Sequence, residues 1–425
     1  MKQIITFLVP CFFALISYSQ NIDKIINVGE VERIENVLSS DKMQGRKTFT
    51  PFIDTAANFI AGEFKKAGLK YFDGLASYRQ PFSMLKANFI SASGNVDGHS
   101  VDSNHIIAIT TDPELKFDEN SGYAKVVIGD TANFFKEAFS LLKSNKKYLV
   151  LVDTSFAGNF DRLRRFNRES FEAKAPVIFV LTNENPSTYH FEIRNEITSS
   201  SLANVVGVLP GKSKKNEYVI FSAHYDHLGV GKPDAKGDSI YNGANDDAAG
   251  TTAVIMLANY FGQLNNNERT LVFVTFTAEE IGGFGSQYFS KQLDPDKVVA
   301  MFNIEMIGTD SKWGNNSAYI TGYEKSDFGE ILQSNLEGSN FHFEPDPYPQ
   351  QNLFYRSDNA TLAALGVPAH TISTSKMDNE PNYHKQSDEI STLDMNNMAE
   401  IIKAVAISSR SIVSGKDTPT RVEKK

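Results

Sequence analysis

The sequence predicts an α/β fold: a mixed, mostly parallel central sheet with helices on both faces, interrupted by an inserted smaller β-rich or α+β domain. Three observations carry this. From residue 204 onward, apolar runs of strand length (NVVGVLPG, YVIFSA, TLVFVTFTA, VVAMFNI, PAHTIST) alternate with segments of helical spacing such as DDAAGTTAVIMLANYFGQL and LDMNNMAEIIKAVAISS, the pattern of a sheet covered on both faces. Between 85 and 200 the pattern changes to short β-like runs (HIIAITT, AKVVIG, YLVLVDT, APVIFVLT) between polar loops. The 425 residues, 41% hydrophobic and 22% charged, suffice for more than one core.

In chain order, residues 1–19 read as a signal peptide: MKQ supplies a positive charge, IITFLVPCFFALI an apolar stretch, and SYSQ small residues for cleavage near Ser19–Gln20. The apolar run is short of the roughly 20 residues a membrane span needs. Cys11, the single cysteine, lies inside it, so a processed chain has neither disulfides nor thiolate chemistry, and its expected address is periplasmic or extracellular. Residues 20–84 form the N-terminal part of the catalytic domain, helical over most of 28–69, with Gly68 after Lys65 and Lys66 as a stop. The insertion covers 85–200, and FDRLRRFNRESFEAK (160–174) reads as a solvated helix. The catalytic domain resumes over 201–412. Residues 413–425, ending SGKDTPTRVEKK, are expected to fray. The net charge is −9, with no long basic block, which argues against a nucleic-acid partner and against docking on anionic lipid.

The polar residues collect where the strands end. His224-Tyr225-Asp226-His227 follows YVIFSA, Glu279 and Glu280 follow TLVFVTFTA, Glu305 follows VVAMFNI, and Tyr383-His384 closes the loop after PAHTIST; Asn242 to Asp247 precede the long helix. In doubly covered sheets ligands gather beyond the carboxyl ends of the strands. Each piece alone has a structural reading: a loop hydrogen bond for His-x-Asp, a helix cap for Asp246 or Asp247, a solvated turn for the paired glutamates, a lysine partner for Glu305, a surface histidine for His384. Five such pieces at one rim point instead to a shared site. The ligand set suits zinc, which takes imidazole nitrogen and carboxylate oxygen and leaves a position for water in catalytic sites. Two ions, or one, are expected. Asp246 would bridge a pair, His224 and Glu305 would complete one ion, and Glu280 and His384 the other, with Asp226 orienting His224. Adjacent strand-end residues point in different directions, so Glu280 binds metal while Glu279 faces substrate and moves the proton of a metal-activated water.

HYDHLG (224–229), NGANDDAAGT (242–251), TAEE (277–280), NIEMIG (303–308), RSDNATLAALGVPA (356–369) and YHKQSD (383–388) resemble the co-catalytic zinc exopeptidase family, which includes bacterial leucyl-type aminopeptidases, glutamate carboxypeptidase II, transferrin receptor and glutaminyl cyclase. The similarity covers about 203–410, and SDKMQGR and YRQPFS resemble the lead-in of secreted members. It implies the same ligand assignment, Glu279 as general base, Asp226 behind His224, and Tyr383 as an oxyanion stabiliser. Many peptidases of the family have Asp where this chain has Glu305, which leaves the occupancy of one zinc open. The resemblance implies a secreted aminopeptidase acting on peptides with a free N-terminus. A glutaminyl cyclase-type acyltransferase, a carboxypeptidase using Arg356, or a non-catalytic receptor are the alternatives.

Overall fold

The computed structural model describes residues 22–171 and 175–425; the proposed signal peptide and Cys11 lie outside the described residues. Among the described residues no helix is long and apolar enough to cross a membrane. The described residues divide into two compact units, 22–81 with 203–425, and 82–202.

The first unit is built on a mixed sheet. Its strands run in the order His342–Pro345, Ser317–Ile320, Ala369–Ser373, Val298–Ile304, Lys214–His224, Arg269–Phe276, followed by the end of Tyr189–Leu209. The four strands at its centre are mutually parallel, and the pairing turns antiparallel where Ser317–Ile320 and Tyr189–Leu209 join. Both faces are covered, and alternation along the strands shows it. Val219, Phe221 and Ala223 enter a large core with the helices Val28–Leu38, Pro51–Lys66, Ala249–Leu264 and Met395–Ser408. Ile220 enters a second core with Val272, Phe289 and Leu362. Val28–Leu38 shows how sequence sets this packing: Asn27 accepts the Glu30 amide at its start, and Val31, Ile34, Glu35 and Leu38 form the buried stripe.

Register aligns the strand ends that matter. His224 sits opposite Phe276, Ser222 opposite Asn303, and Asn303 opposite Thr371. The chain therefore leaves three neighbouring parallel strands at nearly one level, at His224, after Phe276 and after Ile304.

Two expectations need correction. The tail does not fray: Arg269 is buried and donates to the carbonyls of Ile412 and Asp417 at 2.8 and 2.6 Å, Val422 is buried in the second core, and Arg421 donates to Val298 O at 2.8 Å. A buried guanidinium needs acceptors, and the polar tail supplies them. The helix expected over 160–174 is also absent as such. Ala157–Phe160 and a tight turn, Asp161–Phe166, are helical. Phe160 and Leu163 are drawn into the core, and Ser170 then bridges to Leu85. Residues 172–174 lie outside the described residues.

The second unit has a four-stranded sheet ordered Ile106–Ile109, Val177–Leu181, Tyr148–Val152, Ala124–Ile128. The last three strands are parallel, with the helix Phe134–Lys143 as the crossover between two of them.

Candidate active site

Beyond the aligned strand ends lies a basin of carboxylates and imidazoles. His224 Nε2 is 3.2 Å from Asp246 Oδ1, and His384 Nε2 is 3.3 Å from Asp246 Oδ2 and 3.1 Å from Glu280 Oε2. Asp246 thus presents one oxygen to each of two imidazoles. Asp246, Glu279, Glu305, Tyr383 and His384 line a single cleft. Tyr383 stacks on His384 with ring centroids 4.0 Å apart.

Backbone geometry holds these groups. Asp388 accepts the amides of Asn245 and Asp246 at 2.8 and 3.0 Å. Asp247 accepts the amides of Gly250 and Met306 at 3.0 Å each, so it serves the first turn of Ala249–Leu264 and the segment after Glu305 together. The Asp246–Asp247 peptide is cis. Ala278 (φ 62°), Met306 (φ 54°) and His384 (φ 55°) adopt left-handed backbone. Side chains other than glycine resist that conformation at a cost of about 1–2 kcal/mol, and it clusters at functional sites. Here it occurs at His384 and beside Glu279 and Glu305.

Asp226 differs from expectation. The His224 Nδ1–H donates to the backbone carbonyl of Asp226 at 3.1 Å, while Asp226 Oδ1 is 3.8 Å from that nitrogen. The carboxylate instead accepts the Glu279 amide at 3.1 Å. The carbonyl orients the imidazole and the carboxylate holds the turn that carries Glu279. A carbonyl only accepts, so Nδ1 keeps its proton, and Nε2, which faces Asp246, is the nitrogen that can exchange its proton for a metal ion.

Four residues outside the expected set matter here. His227 Nδ1 is 2.6 Å from Glu280 Oε1, yet neither atom has a hydrogen bond of acceptable geometry. His227, Asp246 and Glu280 form a group able to hold a metal ion. HYDH already offered a second imidazole three residues after the first. Asp247 and Asp388 were visible as carboxylates inside motifs, but not as amide acceptors. Arg46, in SDKMQGR, is fully buried and donates to four carbonyls: Tyr225 (2.8 Å), Leu38 (2.7 Å), Asn242 (2.6 Å) and Gly243 (2.8 Å). It ties the His224–Asp226 turn to the loop entering Asp246.

The electrostatics suit a cation. Burial pushes the Glu305 carboxyl up to about 7 and Asp358 up to about 6. Burial, reinforced by Glu305, Asp358 and Glu280, raises Glu279 well above the carboxylate range. Burial opposes a charge on Asp246, but hydrogen bonds from His224 and His384 hold it below that range. Glu280 Oε1, Glu305 Oε2, both Asp358 oxygens and both His227 nitrogens are buried without a hydrogen-bond partner. Orphaned acceptors and like charges at this density are costly; divalent ions with nitrogen and oxygen ligands would satisfy them. The residues present therefore fit zinc.

Residues 204–408 match the model of Peptidase family M28. The matched segment is just under half of the chain. Among curated proteins the chain is similar to Aminopeptidase YwaD of Bacillus subtilis (strain 168), at 21% identity over 67% of this chain and 59% of that protein. It is also similar to Leucine aminopeptidase 1 of Paracoccidioides brasiliensis (strain Pb03), at 25% identity over 48% of this chain and 54% of that protein. The chain thus spans little more than half the length of these relatives. Among solved structures it resembles a zinc aminopeptidase from Bacillus subtilis, with TM-score 0.55, 16% identity, and 92% and 95% of the two chains covered. It also resembles a peptidase M28 precursor from Shewanella amazonensis, with TM-score 0.56, 14% identity, and 97% and 99% covered. Likenesses at this identity establish the α/β peptidase fold.

Proposed function

We propose that the M28 unit is a zinc-dependent aminopeptidase that acts after export and removes N-terminal residues from peptides. The observation that carries this reading is the meeting of His224, Asp246, Glu280 and His384 within 3.1–3.3 Å contacts, with Glu279 and Glu305 on the same cleft. His224, Asp246 and Glu305 would hold one zinc, and Asp246, Glu280 and His384 a second, with His227 against the other oxygen of Glu280. Bound zinc supplies Lewis acidity, polarising the peptide carbonyl and acidifying water.

The protein's own groups do the rest. Glu279, kept basic by its buried acidic surroundings, takes a proton from the attacking water and delivers it to the departing amine. Asp226 fixes the Glu279 backbone, so the base stays at the cleft. Tyr383, held by stacking on His384, offers a hydroxyl to the developing oxyanion. The acidic rim favours a free ammonium group. Met306, Tyr319, Leu353 and Met377 line the same cleft and suit an apolar first side chain.

Turnover of leucyl peptides and their N-acetylated forms, measured on zinc-quantified protein, tests the reading. Wild type is expected to cleave only the free-amine forms. Glu279→Gln is expected to keep its zinc and lose about 10²–10⁴-fold in kcat, the span of general acid–base catalysis. Normal turnover by Glu279→Gln overturns the base assignment, and cleavage of blocked peptides overturns the aminopeptidase.

A further inference from the structure

Two clefts flank Glu279. The first, already described, holds the metal ligands and the apolar side chains. The second has a volume of about 780 Å³ including its open mouth and is lined by Glu279, Glu280, Ser286, Gln287, Tyr355, Arg356 and Thr361, among others. Both are lined by Glu279, Arg356 and Ser357. The second wall is polar and mostly neutral apart from the two glutamates at its inner end and Arg356.

Arg356 is exposed. It stands beside a basin crowded with carboxylates, and among the described residues it pairs with none of them. Its guanidinium donates from Nη1 to Gln351 Oε1 at 3.4 Å, and its backbone amide to Leu353 O at 3.0 Å. A second cation lies behind the same wall: Lys425 Nζ is 3.8 Å from the ring centroid of Tyr355, the residue before Arg356. Acidic groups thus stand where a substrate ammonium would sit, and Arg356 brings a guanidinium to the wall of both clefts.

We propose that Arg356 binds a carboxylate on the leaving portion of the substrate, making the site selective for short or acidic leaving groups. This rests on the aminopeptidase reading above. With the first side chain in the apolar cleft and the scissile carbonyl beside Glu279, the departing residue enters the second cleft. Its carboxylate there meets the guanidinium, whose planar donor fork matches a carboxylate in two-point geometry. Ser286, Gln287 and Thr361 are neutral, so that wall does not repel an anion. The carboxylate comes either from the C-terminus of a dipeptide or from an acidic second side chain, and one contact serves both.

The test uses zinc-loaded protein and three substrates: Leu-Gly, Leu-Gly-amide and Leu-Glu-amide. Wild type is expected to prefer Leu-Gly over its amide by about tenfold in kcat/KM, mainly through KM, the scale of one charge-assisted hydrogen bond partly exposed to water. Recovery of that factor by Leu-Glu-amide assigns the contact to a second-residue side chain as well; no recovery assigns it to the C-terminal carboxylate alone. Arg356→Ala is expected to erase the preference, and Arg356→Lys to restore part of it. Calorimetric binding of the same three ligands to zinc-loaded Glu279→Gln reads the contact without turnover. An amide bound and cleaved as well as the acid by wild type overturns the proposal, as does an equal loss on acid and amide in Arg356→Ala. Failure to cleave any of the three, with the binding preference intact, overturns the catalytic reading and leaves the carboxylate contact standing.

Discussion

Two buried groups of charge in the first unit are treated in opposite ways. The Arg46 guanidinium has hydrogen bonds to four backbone carbonyls, and Arg269 is likewise engaged with Glu217, the Ile412 and Asp417 carbonyls and Thr418. A few residues away, Glu280, Glu305, Asp358 and His227 hold buried polar atoms without a partner. The fold satisfies the first group completely and leaves the second incomplete. A satisfied buried charge is part of the scaffold. A crowd of unsatisfied ones, set on loops that Asp388 and Asp247 hold by accepting the amides of Asn245, Asp246 and Met306, is a site arranged for something else.

The contrast breaks most visibly at Arg46. Arg46→Met leaves four carbonyls without their donor, and a loss of about 3–5 kcal/mol is expected, as for a buried charge stripped of its partner network. Arg46→Lys should recover only part, because an ammonium cannot reach acceptors arranged around a planar fork. Urea unfolding measures both. A change within about 1 kcal/mol for the Met variant, the size of an ordinary surface substitution, would remove Arg46 from the scaffold.

A smaller effect sharpens the comparison at Glu35, which stands between the two classes. Its Oε2 accepts the Thr252 hydroxyl at 2.8 Å, while its Oε1 has no partner. Burial, only partly offset by that hydrogen bond and by Arg46, and reinforced by Asp388, pushes its carboxyl up to about 8. In the unfolded chain a glutamate ionises near pH ~4.3. Between these values the folded chain keeps a proton that the unfolded chain has released. This contribution is therefore complete below the lower value and is lost as pH rises through the upper one. Wild type is expected to lose about 3–4 kcal/mol relative to Glu35→Gln between about pH 5 and 8. Parallel stability profiles for the two proteins would show that Glu35 is ionised in the fold.

Much of the basin was legible in the sequence because sheet logic is simple. Parallel strands end at one rim, so His224, Glu279, Glu280 and Glu305, each just past an apolar run, had to be neighbours. His384 and Asp246 followed from the same convergence. What was not legible depends on loop geometry. Asp226 lies two residues past His224, but its carbonyl accepts the imidazole N–H and its carboxylate accepts the Glu279 amide. His227 meets Glu280 only because the turn after His224 folds back over the rim. Arg46 is far from Tyr225 and Asn242 in sequence, and no local pattern marks an arginine whose partners are carbonyls. The tail reads as polar and mobile until Arg269 is seen to need acceptors and Val422 a pocket. Periodicity exposes burial of apolar side chains; it does not show which backbone carbonyl a buried cation will find.

The central claim is that the unsatisfied basin is completed by a pair of cations. Zinc titrated into chelator-stripped protein, with bound metal and thermal unfolding read on the same samples, tests it most directly. Two equivalents should bind to wild type and one to Glu280→Gln. Saturation should raise the wild-type midpoint by several degrees, since a ligand at about 1,000 times its dissociation constant adds roughly 4 kcal/mol. Stripped protein that takes up no zinc, and melts at the same temperature with or without it, would contradict the assignment of this basin as a metal centre.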